Sequence, residues 1–260
     1  LSSWYFAEGY TGSGFEEWLC LANFGDQLAT VTVDYIYDDG IPLQEEYAIP
    51  GNRRVTFSVN EEAGYDQDVS IDISSDQPVV AERPMYFEYQ GLGGHGWTGG
   101  HFVIGAEQTS NKWYFAEGYT GSGFEEWLTL ANPNDTDSSV NVTYLYQSED
   151  TSVLTYVVPA NTRRTISVNQ AAGSDKELGM VVDSDLPILA ERPMYFDYHG
   201  RWEGGHCVVG AGLPSNYWAL AEGYTDPNFD EYICISNPGK EAAEITVTPL
   251  FAAADGGDVL

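Results

Sequence analysis

Three carboxylates, Glu8, Glu16 and Glu17, fall within the stretch WYFAEGYTGSGFEEWL at residues 4–19. Such a group could do acid–base work or hold calcium, an ion that takes oxygen ligands. Catalytic carboxylate pairs face one another across roughly 5–10 Å, whereas neighbours on a strand point to opposite faces. Glu16 and Glu17 therefore cannot share a pocket on an unbulged strand, and the expectation is that one faces solvent while the other pairs with an arginine. The dipeptides Glu82-Arg83 and Glu191-Arg192 each stand beside a proline and a run of aromatics. An arginine there could clamp an anion, but its recurrence favours a structural pair with a glutamate or a loop carbonyl. His101 and His206 both follow Gly-Gly. His95 lies near the first, without a counterpart further on, and no Cys-x-x-Cys, His-Glu-x-x-His or Gly-x-Ser-x-Gly pattern accompanies them. A backbone-bonded histidine at a strand start is expected, and no catalytic residue is assigned. Trp97 and Trp202 sit in glycine-rich stretches that read as loops; there they would either stack on sugar rings or fold back over the end of the domain.

What must position these groups is a repeat. The sixteen residues 4–19 recur unchanged at 113–128, and a looser copy, WALAEGYTDPNFDEYI, follows at 218–233. Trp4 and Trp113 are 109 residues apart, Trp113 and Trp218 are 105. A fixed period marks tandem units. Four extra residues between Tyr89 and His101, relative to Tyr198 and His206, account for the difference and mark a surface loop that tolerates insertion. Within each unit, short apolar-alternating runs are separated by Gly, Asn, Asp and Pro, about eight strands per repeat. Val31, Val33, Tyr35 and Tyr37 form the cleanest period-2 face, and Val140, Val142, Tyr144 and Tyr146 repeat it. Pro84 should break or bend its strand. The expected fold is all-β, as tandem immunoglobulin-like sandwiches of about 105–109 residues: repeat one at 1–110, repeat two at 111–215, and a partial third at 216–260. Linkers are expected near 107–112 and 212–217. The partial third repeat should dock on the preceding one or on a neighbouring chain by strand addition. Opening on Leu1 and stopping in mid-repeat, the chain reads as part of something longer or as a subunit completed by a neighbour.

Forty acidic against ten basic residues give a formal charge of −30. That excess argues against nucleic acid and anionic membranes as partners, and no apolar run is long enough for a membrane helix. Divalent cations suit such a surface, calcium first; beyond that no cofactor is expected. Six of the seven arginines, Arg53, Arg54 and Arg83 and then Arg163, Arg164 and Arg192, read as repeat-equivalent and reserved for structural pairings. Asn134-Asp-Thr and Asn141-Val-Thr fit the glycosylation pattern.

The paired signatures WYFAEGYTG(S)GFEEWL(T)LAN and AERPMYF, followed by Gly-Gly-His, resemble tandem repeats of large secreted or cell-surface bacterial proteins, a family of domains of unknown function. The resemblance covers essentially the whole chain, departing in the third copy at Ala219, Leu220 and Asp226-Pro227-Asn228. It implies an extracellular setting and a repeated β unit, and carries over no catalytic residue. The expected function is that of a non-enzymatic structural protein at the cell surface, a stalk or filament subunit partnered by copies of itself or by neighbouring repeats. The alternative is a carbohydrate-binding or adhesive protein using Trp97 and Trp202, stabilised by calcium. A final expectation is a Cys207–Cys234 disulfide, because the places of Phe102 and Thr129 both become cysteine at the second junction. Such a bond is permitted outside the cell, and Cys20 would then find its partner in another repeat or subunit.

Overall fold

The computed structural model describes residues 2–92, 94–148 and 150–251. Repeat one contains eight strands in two antiparallel sheets. One sheet orders β1 (Ser2–Phe6), β6 (Val69–Ser75), β3 (Ala29–Tyr37) and β4 (Leu43–Ile49); the other orders β5 (Arg53–Ser58), β2 (Phe15–Asn23), β7 (Val80–Gln90) and β8 (Gly96–Ile104). The alternation predicted for β3 is the register that buries Val31, Val33 and Tyr35 between the sheets, against Leu19, Leu21, Ile71 and Ile73. The fold is thus all-β, but its strand order is not that of immunoglobulin constant domains, where strand A lies beside B. Here β1 pairs with β6, and β2 lies in the opposite sheet. A single helical turn, α1 (Val59–Glu62), follows β5, capped by the Ser58 hydroxyl.

Repeat two has the same arrangement: β9 (Ser110–Phe115), β10 (Phe124–Asn132), β11 (Ser138–Tyr146), β12 (Ser152–Val158), β13 (Thr162–Ser167), the turn α2 (Val168–Ala171), β14 (Leu178–Tyr198) and β15 (Trp202–Val209). The counterparts of β6 and β7 are merged in β14. Its first part pairs with β9 and β11 and its last part with β10 and β15. Repeat two begins within the stretch expected as a linker, since Lys112 lies in β9 and Ala106 bridges back to Tyr5.

Pro84 does not break β7. Pro84 stays paired with Phe102 of β8, while the ladder to β2 is interrupted from Arg83 to Pro84. The missing N–H falls where no bond is made, as it does again at Pro193. The glycine-rich stretch is not a loop either: β8 begins at Gly96, so Trp97 is in a strand.

The third copy differs from expectation. Among the described residues, 212–251 form no strand, so there is no strand addition, and residues 252–260 lie outside the described part. Tyr217, Trp218, Leu220, Ile233, Ile235, Ile245 and Val247 are exposed. Except for Lys112, the counterpart of Tyr217, their equivalents in repeat two are core.

Candidate functional site

Among the described residues, charged groups from both repeats converge in a buried setting at the junction between them. Repeat one contributes a socket. Glu8 follows β1, Arg83 projects from β7, and Asp68 and Ser70 lie at the start of β6. Around them Phe15, Phe87, Tyr89 and Trp97 form an aromatic wall. Repeat two contributes a plug: Thr129 on β10, Arg163 on β13, and Glu191, Tyr195 and Cys207 from β14 and β15.

Glu191 Oε2 accepts the Glu8 backbone N–H at 2.7 Å and Arg83 Nη1 at 3.1 Å. Arg83 also donates to the Glu8 carbonyl. Arg163 reaches back into repeat one, at 2.6 Å from Asp68 Oδ1, 3.2 Å from Ser70 Oγ and 3.6 Å from Glu8 Oε2. Thr129 Oγ1 donates to Glu8 Oε2 at 2.5 Å. Tyr195 is buried by the socket, its ring 5.0 Å from that of Phe87 and 4.8 Å from that of Tyr89. The Gly-Gly-His motifs make this approach possible. A Cβ at Gly205 would stand 2.9 Å from the Phe87 ring, and one at Gly99 only 3.5 Å from the Gly204 Cα.

Glu16 and Glu17 divide as strand alternation requires: Glu16 is exposed, Glu17 fully buried. Glu17 Oε1 lies 3.9 Å from Arg83 Nε, too far for a hydrogen bond, and both its oxygens lack hydrogen-bond partners. Burial pushes its carboxyl up to about 8 against the pull of Arg83, and Glu126 in repeat two is pushed to about 8 in the same way. Burial also works against the Arg83 charge, but Glu191, Cys207, Glu17 and Glu8 outweigh it and hold the guanidinium protonated. Since Glu191 makes the shorter, hydrogen-bonded contact, it is the carboxylate that balances Arg83, and Glu17 carries a proton. Arg83 is not paired with Glu82, which is exposed on the opposite face of β7; the expected partner within the dipeptide is replaced by one 108 residues away.

The arginine doublets are shifted by one residue. Ala22 pairs with Arg54 and Ala131 with Arg163, so these two are equivalent, while Arg53 matches Thr162 and Arg164 matches Val55. His101 is no strand-start residue bonded to backbone. It lies inside β8 with neither ring nitrogen hydrogen-bonded, and burial, with Arg83 nearby, lowers it to about 3.

Trp97 is no exposed platform. It is 2% exposed, stacked on Tyr89 at 5.6 Å and facing His95 at 4.9 Å. Trp202 is half-buried, stacked on Tyr198 at 5.7 Å with the Arg201 guanidinium 4.3 Å from its ring centre. His95 does have partners, across the junction: Asp197 Oδ2 is 3.6 Å from its Nε2, and ligand atoms of His95, Asp197 and Glu203 all lie within 4.8 Å of one another. An imidazole with two carboxylates suits zinc better than calcium. An open cleft of about 310 Å³ beside His95 and Trp97 reaches Phe124 and Glu125.

The three cysteines are free thiols. Cys207 belongs to the plug, buried with its Sγ 3.9 Å from Glu191 Oε2. Cys234 is on the third copy, exposed, where Glu117, Arg192 and Glu177 influence it. The two thus serve different junctions, on opposite sides of repeat two, and the expected bond is not formed. Of the two glycosylation candidates, Asn134 already donates its amide to Asn132 and Pro187, and Asn141 accepts from Thr155.

No protein-family model matches the chain, and no curated protein does. Among solved structures, a Thermotoga maritima protein numbered 1070 aligns at 16% identity over 40% of this chain and 94% of its own, with a TM-score of 0.37. The Anabaena sensory rhodopsin transducer aligns at 24% identity over 32% of this chain and 95% of its own, with a TM-score of 0.30. The tandem CBM22-1–CBM22-2 domain of Paenibacillus barcinonensis Xyn10C aligns at 8% identity over 67% of this chain and 72% of its own, with a TM-score of 0.20. All three scores lie below 0.5, so the architecture rests on the strand pairing described above, and the most developed chemistry in the molecule is an adhesive one, between repeats.

Proposed function

We propose that the chain is a non-enzymatic structural protein of the cell exterior, part of a stalk or filament in which β-sandwich repeats stack end to end. The observation that carries this reading is the junction itself. Glu8, Arg83, Arg163 and Glu191 are all buried there, and each is matched across the boundary by a group of opposite charge or a backbone partner. A buried ion pair is costly to form unless its hydrogen bonds are met. Its specificity is in fixing how one repeat sits on the next, which a flexible string of domains does not need and a stiff one does. The acidic surface keeps such a rod soluble. Trp97, taken up by the junction, is unavailable for sugar stacking, which weakens the adhesive alternative. Electron microscopy of the isolated protein tests the reading: the expected particles are straight, with the two repeats in constant relative orientation. Particles bent over a wide range of angles, together with specific retention on a glycan array lost in Trp202→Ala, would replace it by the carbohydrate-binding alternative.

A further inference from the structure

Repeat one carries a second plug, which no described residue covers. The residues equivalent to Arg163, Glu191 and Tyr195 are Arg54, Glu82 and Tyr86, the same three types, and all are exposed; Tyr86 is 57% exposed, whereas Tyr195 is 4%. Along β7, burial alternates from Ala81 to Glu88, with Glu82 and Tyr86 outward. Along β14, residues 188–195 are buried without a break, because repeat one covers the outer face. Phe102 and Ile104 add exposed apolar area to the free plug.

The matching socket stands at the far end of repeat two. Phe124, Phe196, Tyr198 and Trp202 repeat Phe15, Phe87, Tyr89 and Trp97 type for type. Their rings keep the same neighbours, Phe124 5.8 Å from Phe196 and Tyr198 5.7 Å from Trp202. Glu117, Arg192 and Glu177 stand for Glu8, Arg83 and Asp68. The third copy touches this socket at Tyr232 and Ser236, and Cys234 lies near Glu117, Arg192 and Glu177. Tyr232 meets Tyr198 at 2.5 Å between hydroxyls, and a Cβ on Gly179 would lie 3.0 Å from Ser236 Oγ. These residues follow the path that β10 takes over repeat one, yet they stay largely exposed and form no strand. None of the described residues there takes the place of Tyr195, Arg163 or Glu191.

The geometry points to a second copy of this chain as the occupant: the Arg54–Glu82–Tyr86 face of one molecule docks head to tail on the Phe124–Phe196–Tyr198–Trp202 socket of the next, displacing residues 228–236. Arg54 then meets Glu117 and Glu177, Glu82 meets Arg192, and Tyr86 enters the aromatic wall. A heterologous contact of this kind does not close on itself and propagates into a filament. The inference rests on the structural reading above and adds the surface and the partner to it. Phe102 in place of Cys207 is the one bulky difference, and it tunes the fit.

The test is sedentation-equilibrium self-association of the full chain and of the chain ended after Leu213, which keeps both sandwiches whole. Concentration-dependent head-to-tail growth is expected of both, and it should be stronger in the shortened form, where no segment competes for the socket. Arg54→Glu combined with Glu82→Arg should weaken growth by at least about 30-fold, as truncating buried interfacial charge pairs does. These residues are exposed in the single molecule, so the circular dichroism spectrum should not change. Two results overturn the inference: both forms monomeric at the highest soluble concentration, or growth that is indifferent to the charge reversal. Either would leave straight two-repeat particles, and hence the structural reading, intact.

Discussion

Arg83 and Arg192 occupy the same place in successive repeats, yet they are held differently. Arg83 is sealed under repeat two and bonded to Glu191, leaving the Glu8 carboxylate free to receive Arg163 and Thr129. Arg192 has no such visitor. It turns to Glu117 at 3.0 Å, helped by His206 at 3.7 Å from the same carboxylate, and Glu117 is 45% exposed. One sequence motif thus gives a closed ion-pair network where a plug is present and, where it is absent, a pair whose arginine is buried and whose glutamate is half exposed. The difference shows that the repeat codes for two half-sites, each finished only by a neighbour.

The sharpest way to break this comparison is to remove one charge from each junction. Glu191→Ala should destabilise the chain by about 3–5 kcal/mol, because Arg83 and the Glu8 N–H lose a buried partner. Glu117→Ala should cost less, about 1–2 kcal/mol, because water reaches the half-exposed Glu117 although Arg192 is buried. Urea unfolding of the two variants measures both, and equal costs would contradict the closed-versus-open distinction. Gly205→Ala comes next, at about 1–3 kcal/mol, since its methyl meets the Phe87 ring in a packed interface; the equivalent Gly100→Ala, where repeat one is uncovered, should cost less.

The protons on Glu17 and Glu126 sharpen the comparison in a different way. The ordinary carboxyl value is 4.5 and burial raises both groups to about 8. Between those values the folded chain keeps protons that the unfolded chain has released, so stability falls as pH rises from about 4.5 to about 8 and is fully present below that window. Both repeats contribute to this change. Unfolding measured at several pH values should show a flattened slope in Glu17→Gln with Glu126→Gln, and an unchanged slope would place the protons elsewhere. Smallest is Thr129→Val, which removes one hydrogen bond to Glu8 and should cost about 1 kcal/mol.

Much of the scaffold was legible because strand alternation is a local property. It set Glu16 and Glu17 on opposite faces, without saying which is buried, and it picked out β3 with its buried valines. The same rule, applied to Glu82-Arg83, already denies that these neighbours pair; what the rule cannot supply is that the partner is Glu191, since contacts across a repeat boundary leave no periodic trace. Trp97 was read as loop because glycines punctuate turns. Here they lie in β8 and β15 and let two sandwiches approach, a packing reason invisible in one chain segment. The arginine doublets misled through likeness: Arg53-Arg54 and Arg163-Arg164 look aligned, but the Asn52 and Asn161 turns before them fix a register one residue apart. The cysteines switch at equivalent places, and those places lie in successive junctions, so joint change did not mean proximity.

The continuity of β14 has a consequence for how the molecule opens. In repeat one the chain leaves an interior strand of one sheet at Ser75 and enters an interior strand of the other at Val80, so the two sheets share no strand. In repeat two a single 21-residue strand is the shared seam of both sheets. Releasing either part of it should expose amides in both, so hydrogen exchange is expected to open repeat two in one concerted event and repeat one in two.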